Sequence, residues 1–278
     1  MRTTDICDPP LARVTVAITL GLRLRHIRET SARTVWRALP LVVFSLTLRP
    51  FVTSVGPVLP EIRAELGMSA TQASLLTVAP VVCFAVGAFL VPRLLTWISP
   101  NHLIAAALLL MVIGGLYRLG ATVGTLLAGT VVCGIGAAIG NIMGGIVTRR
   151  DFASRVGLVM GLYVGVMSVS SSAAAMVSFP LAERFGGWRL SLSLWAYLAI
   201  GVFLLWTVTQ AGHRENRPLV VRGSYRAIAR NRAAWWLVVY FGFQSTNFHS
   251  LAGWLPSILR DSGIPGTAAG LMVSLLIL

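Results

Sequence analysis

LTLRPFVTS, residues 46–54, lies in the middle of an otherwise apolar run from Trp36 to Pro60. That run is long enough to cross the ~30 Å hydrocarbon core of a bilayer as a helix. Arg49 falls near its centre, where a guanidinium costs about 2.5–3.5 kcal/mol on insertion scales, so an arginine there usually serves a function. Pro50 removes a backbone donor and predicts a kink at the same level. The pair predicts one wall of a polar cavity in a helical membrane protein; the alternative is an arginine capped by backbone carbonyls of neighbouring helices.

The composition is that of an integral membrane protein. Of the 278 residues, 56% are hydrophobic and only 12% are charged, which does not fit a soluble domain. The formal net charge of +14 would indicate nucleic acid in a soluble protein, but here the arginines lie between apolar runs and indicate topology. We therefore expect a lipid bilayer as partner and no nucleic acid. The cysteines Cys7, Cys83 and Cys133 lack metal-binding spacing, and we expect neither a metal nor a cofactor.

Apolar runs of membrane length predict seven complete spans and the start of an eighth. Arginines are concentrated in the N-terminal arm and in the connections at 149–155 and 210–232, so the positive-inside rule predicts a cytoplasmic N-terminus and a cytoplasmic 210–232 loop. The connections predicted on the other side of the membrane hold only a few arginines: Arg63, Arg118, Arg184, Arg189 and Arg260.

The runs also predict four parts of the chain. Residues 1–33 form a cytosolic N-terminal extension and residues 34–209 a six-helix bundle. Residues 210–232 form the cytoplasmic basic loop, and residues 233–278 the start of a second bundle. The chain ends inside the eighth run, so we expect this second bundle to be incomplete.

A repeat relates the first span to the seventh. Leu59 and Pro60 recur as Leu255 and Pro256, and at the same offset of 196 positions Ile62 recurs as Ile258 and Gly67 as Gly263. Such a repeat, in the same orientation, is typical of transporters with two bundles related by an axis along the membrane normal.

The same offset places Arg49 opposite a polar cluster of the seventh span, QSTNFH at residues 244–249. Both repeated helices thus concentrate polarity at one depth, which predicts a substrate site near the midplane between the halves. For Gln244 and Asn247 the alternative is interhelical hydrogen bonding. For His249 two roles are open, a proton carrier near neutral pH and a hydrogen-bonded structural imidazole.

Five motifs carry a family resemblance: Leu48-Arg49-Pro50, Leu59-Pro60 with Leu66-Gly67, Gly140-Asn141 through Asp151-Phe152, Gly161-Leu162-Tyr163, and Gly242-Phe243-Gln244 through Trp254-Leu255-Pro256. They resemble the major facilitator superfamily, in particular its cyanate and 2-nitroimidazole transporter branch. The resemblance runs from about residue 35 to the last residue. It implies an all-α integral membrane protein of two six-helix bundles, of which this chain holds the first and the start of the second, truncated after the start of the eighth helix.

The resemblance also implies a function. The expected protein is a secondary active transporter of a small anionic or polar organic solute, cyanate- or nitroimidazole-like, working by alternating access in the inner (plasma) membrane; we expect a monomer. Gly145 stands where a proline is expected and His249 where an aromatic such as tyrosine is more usual, so the solute itself is not carried over. The alternatives are an efflux carrier of the same superfamily and a non-transporting truncated membrane protein. Ser168 and its neighbours lack a histidine or acidic partner in the sequence, so no enzyme is predicted.

The candidate substrate-binding residues are Arg49, Asn141, Tyr163, Gln244, Asn247 and His249. Two sets of glycines lie inside membrane-length apolar runs and predict close helix packing. The alternative, a dinucleotide-binding loop, needs a preceding strand, which these runs lack. In the fourth span they are Gly134, Gly136, Gly140, Gly144 and Gly145, and in the fifth Gly157, Gly161 and Gly165.

The arginine asymmetry yields a test of topology. Single cysteines at Gly223 and Gly263 should react with an impermeant thiol reagent from opposite sides of the membrane, Gly223 from the cytoplasm. Reaction of both positions from outside would overturn the assigned orientation.

Overall fold

The computed structural model describes residues 38–120, 122–210 and 230–278. Within these ranges all regular secondary structure is helical, and Pro40–Leu278 forms one compact unit. The predicted extension at 1–33 and nearly all of the predicted basic loop at 210–232 lie outside the described residues.

The described residues form eight helices, numbered in chain order. They are α1, Ala38–Leu66, which is interrupted; α2, Ala70–Leu94; α3, Pro100–Tyr117; α4, Val123–Asp151; α5, Val156–Arg184; α6, Trp188–Gln210; α7, Arg232–Asp261; and α8, Gly266–Ile277.

Six of these helices, α1 to α6, are long and apolar enough to cross a membrane. This confirms the predicted all-α membrane architecture. Helix α7 has 30 residues, so its length fits the predicted seventh span, but its polar cluster at 244–249 lowers its apolarity and it is not among the six. Helix α8 is a shorter apolar helix.

The predicted kink in α1 is confirmed as a break in the helix. Arg49 is the N-cap residue of a new helical segment with Pro50 in its first turn, where the missing proline N–H costs no hydrogen bond. A 3₁₀ turn, Gly56–Val58, follows. Between them the Val55 N–H bonds to the carbonyl of Val52 at 3.4 Å, so the regular α-helical ladder does not continue through this part of the bilayer.

Arg118 corrects a sequence-based expectation. The sequence places it in a polar connection, but it is only 2% exposed and its Nη1 donates a 2.7 Å hydrogen bond to the carbonyl oxygen of Phe51, inside the α1 break. The side chain has room because residue 129 is glycine: a Cβ there would lie 2.8 Å from Arg118 Cγ. A carbonyl released by the break thus finds a donor within the protein, as the apolar membrane interior requires.

Glycine packing is confirmed for most of the fourth-span set and is wrong for the fifth. A Cβ on Gly136 would lie 2.6 Å from the Ala107 carbonyl oxygen, and one on Gly134 would lie 3.0 Å from Cys83 Sγ. By contrast, four of the predicted packing glycines have no atom of the described residues within 4 Å of an added Cβ: Gly145, Gly157, Gly161 and Gly165. The three on α5 fail because they lie on an exposed face of that helix.

Helices α7 and α8 join the preceding helices through small residues. Gly56 of α1 approaches the Ala252 carbonyl oxygen of α7 so closely that a Cβ would collide with it. A Cβ on Gly270 of α8 would lie 2.9 Å from the Ala175 carbonyl oxygen of α5, and on the same two helices Ser172 Oγ donates to the Ser274 carbonyl at 2.7 Å.

The glycine contacts predict opposite results for two similar substitutions. Gly136→Ala should lower the free energy of unfolding by about 1–3 kcal/mol, because the added methyl meets backbone that cannot move aside. Gly161→Ala should be neutral or stabilise by up to about 1 kcal/mol, since alanine favours a helix and the site is open. Thermal unfolding of the purified variants in detergent measures both; equal losses would contradict the packing.

The structure also refines the topology test. Gly263 has φ +86°, a conformation in which a cysteine is strained, whereas the neighbouring Ser262 is exposed and has an ordinary negative φ of −83°. Ser262→Cys is therefore the better position for the label on that side.

Candidate functional site

A cavity of about 400 Å³ lies between α1, α2, α4 and α7. Its polar lining comes from Arg49 and Thr53 of α1, Asn141 of α4, and Gln244, Ser245 and His249 of α7. The break in α1 lies beside the cavity and includes Arg49. The polar cluster of α7, at the equivalent depth of the repeated helix, reaches the same cavity. Four of the six predicted binding residues, Arg49, Asn141, Gln244 and His249, are therefore brought together.

Arg49 contributes the positive charge of the cavity. Its Cζ lies 4.8 Å from the centroid of the Phe248 ring, a distance at which the ring face attracts a cation. Within the described residues none of the ion pairs includes Arg49, and none of the hydrogen bonds found there is donated by its guanidinium. The alternative of capping by backbone carbonyls therefore finds no support in these residues.

Asn141 and Gln244 bring amide groups to the cavity. Asn141 Nδ2 donates to the Ala137 carbonyl at 2.9 Å in its own helix, which fixes the side chain and leaves its amide oxygen and one N–H for the cavity. Gln244 also lines the cavity. The two residues bring amide donors and acceptors to the cavity from two helices, Asn141 from α4 and Gln244 from α7.

His249 is held by its own helix. Its Nδ1–H donates to the Ser245 carbonyl oxygen at 2.8 Å, which leaves Nε2 as the ring nitrogen available to a proton or a solute. The ring also packs edge-on against Phe248, with centroids 5.3 Å apart, and against Phe84 at 6.1 Å. Both sequence-based roles stay predictions: the hydrogen bond fits a structural imidazole, and the second nitrogen fits a proton carrier.

Tyr163 and Asn247 are not among the residues that line this cavity. Tyr163 is 2% exposed, its hydroxyl donates to the Gly140 carbonyl at 3.2 Å, and its ring fills the space beside Gly144. It thus links α5 to α4. Asn247 is exposed on α7 and is not among the lining residues.

Sequence reasoning missed the aromatic part of the site. Phe84 of α2 and Phe241 and Phe248 of α7 line the cavity. The signal for the α7 pair was present, because positions 241, 245 and 248 follow one another at the three- and four-residue spacing of a single helix face. Nothing in the sequence of α2 distinguishes Phe84 from its apolar neighbours.

The chain is similar to known membrane transport proteins over most of its length. Residues 42–278 match the family model of the Major Facilitator Superfamily. The chain is 34% identical over 252 residues to the uncharacterized transporter YycB of Bacillus subtilis (strain 168), covering 90% of this chain and 62% of that protein. It is 32% identical over 241 residues to the cyanate transport protein CynX of Escherichia coli (strain K12), with coverages of 86% and 62%.

A third relative and a solved structure show the same kind of similarity. The 2-nitroimidazole transporter of Escherichia coli (strain K12) is 29% identical over 241 residues, with coverages of 85% and 60%. The chain therefore spans about three fifths of the length of these relatives. Among solved structures, a D-xylose-proton symporter superposes with a TM-score of 0.58 at 14% identity, covering 86% of this chain and 65% of that chain. At that identity the likeness concerns the fold alone.

The position of Tyr163 predicts a structural role for its hydroxyl. Tyr163→Phe should lower the free energy of unfolding by about 0.6 kcal/mol, the average for an interhelical hydrogen bond in a membrane protein, and should leave solute affinity unchanged. Tyr117→Phe is the matched control, since Tyr117 is 56% exposed. Thermal unfolding of both variants gives the stability difference. A loss of solute affinity in Tyr163→Phe at unchanged stability would instead place the hydroxyl in the binding site.

Proposed function

The chain belongs to the major facilitator superfamily, a family of membrane transporters and not of enzymes, and from this premise we propose that the protein is a secondary active transporter of a small anionic or polar organic solute. It moves the solute across the cytoplasmic membrane by alternating access between two bundles. Its N-terminus and its 210–232 loop face the cytoplasm, as the arginine distribution predicts.

The observation that carries the proposal is that Arg49 lines the cavity without an ion-pair partner among the described residues. A charged side chain at membrane depth needs a partner. Among the described residues the Arg49 guanidinium lies over the ring of Phe248. The simplest counter-ion is the solute. A planar guanidinium fits a carboxylate, a nitro group or a small linear anion through paired hydrogen bonds, which an ammonium reproduces poorly.

The dimensions and lining of the cavity limit the solute. A volume of about 400 Å³ lies at the lower end of the ~300–1,000 Å³ found for ligand sites, so the solute is small. Aromatic faces from Phe84 and Phe248 favour a planar solute, and Asn141 and Gln244 add amide groups that orient polar substituents. Relatives named for cyanate and for 2-nitroimidazole share 32% and 29% identity with this chain, which supports this class of solute.

A second candidate is an efflux carrier of the same superfamily. It is favoured by one observation, that most of the side chains lining the cavity are apolar, including Leu48, Val52 and Ile142. Such a carrier would accept uncharged apolar solutes that do not use Arg49. Counterflow in vesicles that contain the intact protein separates the two, because an anion carrier exchanges cyanate or a nitro compound and an apolar efflux carrier does not. Absence of any saturable transport would favour the non-transporting alternative.

Arg49 provides the decisive test. In the intact protein, Arg49→Lys should insert and fold but lose most binding, about ten- to a hundredfold, because hydrogen bonds to a charged group contribute ~1.5–3 kcal/mol. Arg49→Ala should lose essentially all binding. Affinity for cyanate and for 2-nitroimidazole is measured on purified wild type and variants at matched thermal stability, with the exposed Arg63→Lys as control.

Equal affinities of wild type and Arg49→Lys would mean that the arginine is structural and that the anion hypothesis is wrong. His249→Phe should leave binding measured at a single pH largely intact and change mainly the pH dependence of binding, because imidazole is the side-chain type that can exchange a proton near neutral pH; affinity measured across a pH series on wild type and variant checks this.

A further inference from the structure

The face of α4 that lines the cavity continues beyond it toward the C-terminal end of the helix. Ala138, Asn141 and Ile142 of this face line the cavity. Because a helix turns by about 100° per residue, Gly145 and Arg149 project within about 20° on either side of Ala138. They follow Ala138 by about 10 Å and about 16 Å along the helix axis. Gly145 and Arg149 thus prolong the cavity lining along one line of the α4 surface.

Gly145 leaves this line uncovered. No atom of the described residues lies within 4 Å of a Cβ added to Gly145, whereas a Cβ on the preceding Gly144 would collide with the ring of Tyr163. Helix α4 therefore packs against α5 through Gly144 and not through Gly145. Since Gly145 is partly exposed and Arg149 is exposed, α4 places a position without a side chain between the cavity and Arg149.

Arg149 carries a charge that its neighbours in the chain do not neutralise. It forms no ion pair among the described residues. The nearby carboxylate of Asp151 is held by Arg150, with Nε 2.5 Å from Oδ1 and Nη2 2.8 Å from Oδ2. Arg150 projects about 140° away from Gly145 around the helix, so that ion pair belongs to another face. The last turn of a helix carries partial negative charge, which repels an anion, and Arg149 opposes this repulsion on the line that leads to the cavity.

We propose that Arg149 is an approach site for small anions, outside the cavity and separated from it by the uncovered position of Gly145. The site attracts a small monovalent anion, such as a carboxylate or a cyanate-like linear ion, to the end of α4 that the arginine distribution predicts to be cytoplasmic. From there the anion passes Gly145 to or from the cavity. This inference rests on the proposed transport function and deepens it, because it adds a second cationic residue that the solute meets.

An exposed arginine acts on an anion differently from Arg49. Its attraction acts through water over the Debye length, which is ~30 Å at 0.01 M salt and ~3 Å at 1 M salt. Arg149 therefore raises the local concentration of anions at low ionic strength and loses this effect at high ionic strength. Partly buried charges such as Arg49 are screened much less, so the salt dependence distinguishes the two residues.

The test measures the electrostatic potential at Gly145 without any solute. Gly145→Cys is made in the intact protein with the native cysteines replaced by alanine, and the open Cβ position accommodates the new side chain. Two thiosulfonate reagents of similar size are compared, one with an anionic sulfonate group and one with a cationic trimethylammonium group. The ratio of the two labelling rates reports the potential at the thiol, because differences in access and thiol reactivity affect both rates alike.

The further substitutions separate charge from structure. Arg149→Gln removes the charge and Arg149→Lys retains it. Arg150→Gln is the matched control, since it makes the same change in the adjacent residue, which lies on another face. Each is combined with Gly145→Cys and measured at about 0.01 M and about 1 M salt.

Arg149→Gln should lower the ratio of anionic to cationic labelling about three- to tenfold at the lower salt concentration, as expected for one unit charge within about 10 Å in water. The ratio should stay within about twofold of its starting value in Arg149→Lys and Arg150→Gln, and the effect of Arg149→Gln should vanish at the higher salt concentration. An unreactive thiol in Gly145→Cys, an unchanged ratio in Arg149→Gln, or an equal fall in Arg150→Gln would each overturn the approach site. If the ratio falls as expected while vesicles with the intact protein exchange no cyanate or nitro compound, the approach site stands and the proposed solute class is wrong.

Discussion

The fold depends on how α1 satisfies its polar groups inside hydrocarbon after its helix is interrupted. Every backbone carbonyl released at that depth needs a donor from the protein, and the break between Arg49 and Leu59 releases the carbonyl of Phe51. Arg118 donates to it at 2.7 Å from a fully buried position. The interruption is thereby stable, and a stable interruption is what allows Arg49 to lie at the cavity and not along a continuous helical surface.

The two arginines of this region show how the same residue type serves different ends. Arg118 directly follows α3 and packs against Gly129 of α4, and its Nη1 donates to the Phe51 carbonyl. Arg49 faces a cavity of about 400 Å³ and contacts an aromatic face. Both incur the cost of a charge at membrane depth, but of the two only Arg118 uses one of its hydrogen-bond donors, Nη1, among the described residues, and its Nε has no partner there. Arg49 is therefore the arginine whose hydrogen-bond donors stay unused among the described residues, and this is why the proposed solute site includes it.

Long-range features of the sequence predicted more of this arrangement than local ones. Apolar run length predicted the membrane helices, and the offset of 196 residues predicted that Arg49 would meet Gln244 and His249, because equivalent helices of a repeat lie at equivalent depth. Side-chain direction was not predicted. Asn247 lies two residues after Ser245 and two before His249, and a step of two residues turns a helical side chain by about 200°, so Asn247 faces away from these two lining residues. Arg118 was missed because it follows an apolar run, where a charge ordinarily marks a connection and only the packing of α3 against α4 makes it buried.

Glycine spacing alone is ambiguous for the same reason. Gly136, Gly140 and Gly144 meet neighbouring helices, whereas Gly157, Gly161 and Gly165, at the same four-residue spacing, have no atom of the described residues within 4 Å of an added Cβ. A stripe of small residues tells which face of a helix permits close approach, and the partner is decided by the tertiary arrangement.

The contacts within the first six helices and those made by the last two helices illustrate the result. Within the first six helices, α3 and α4 pack glycine against glycine, with a Cβ on Gly114 only 2.7 Å from the Gly129 carbonyl oxygen. Across the boundary of the predicted bundles the contacts are of the same kind: a Cβ on Gly56 of α1 would collide with the Ala252 carbonyl oxygen of α7, and one on Gly270 of α8 would lie 2.9 Å from the Ala175 carbonyl oxygen of α5. Small residues, and not the boundary between the predicted bundles, therefore decide where the described helices approach one another closely, because two backbones come near each other only where no large side chain stands between them.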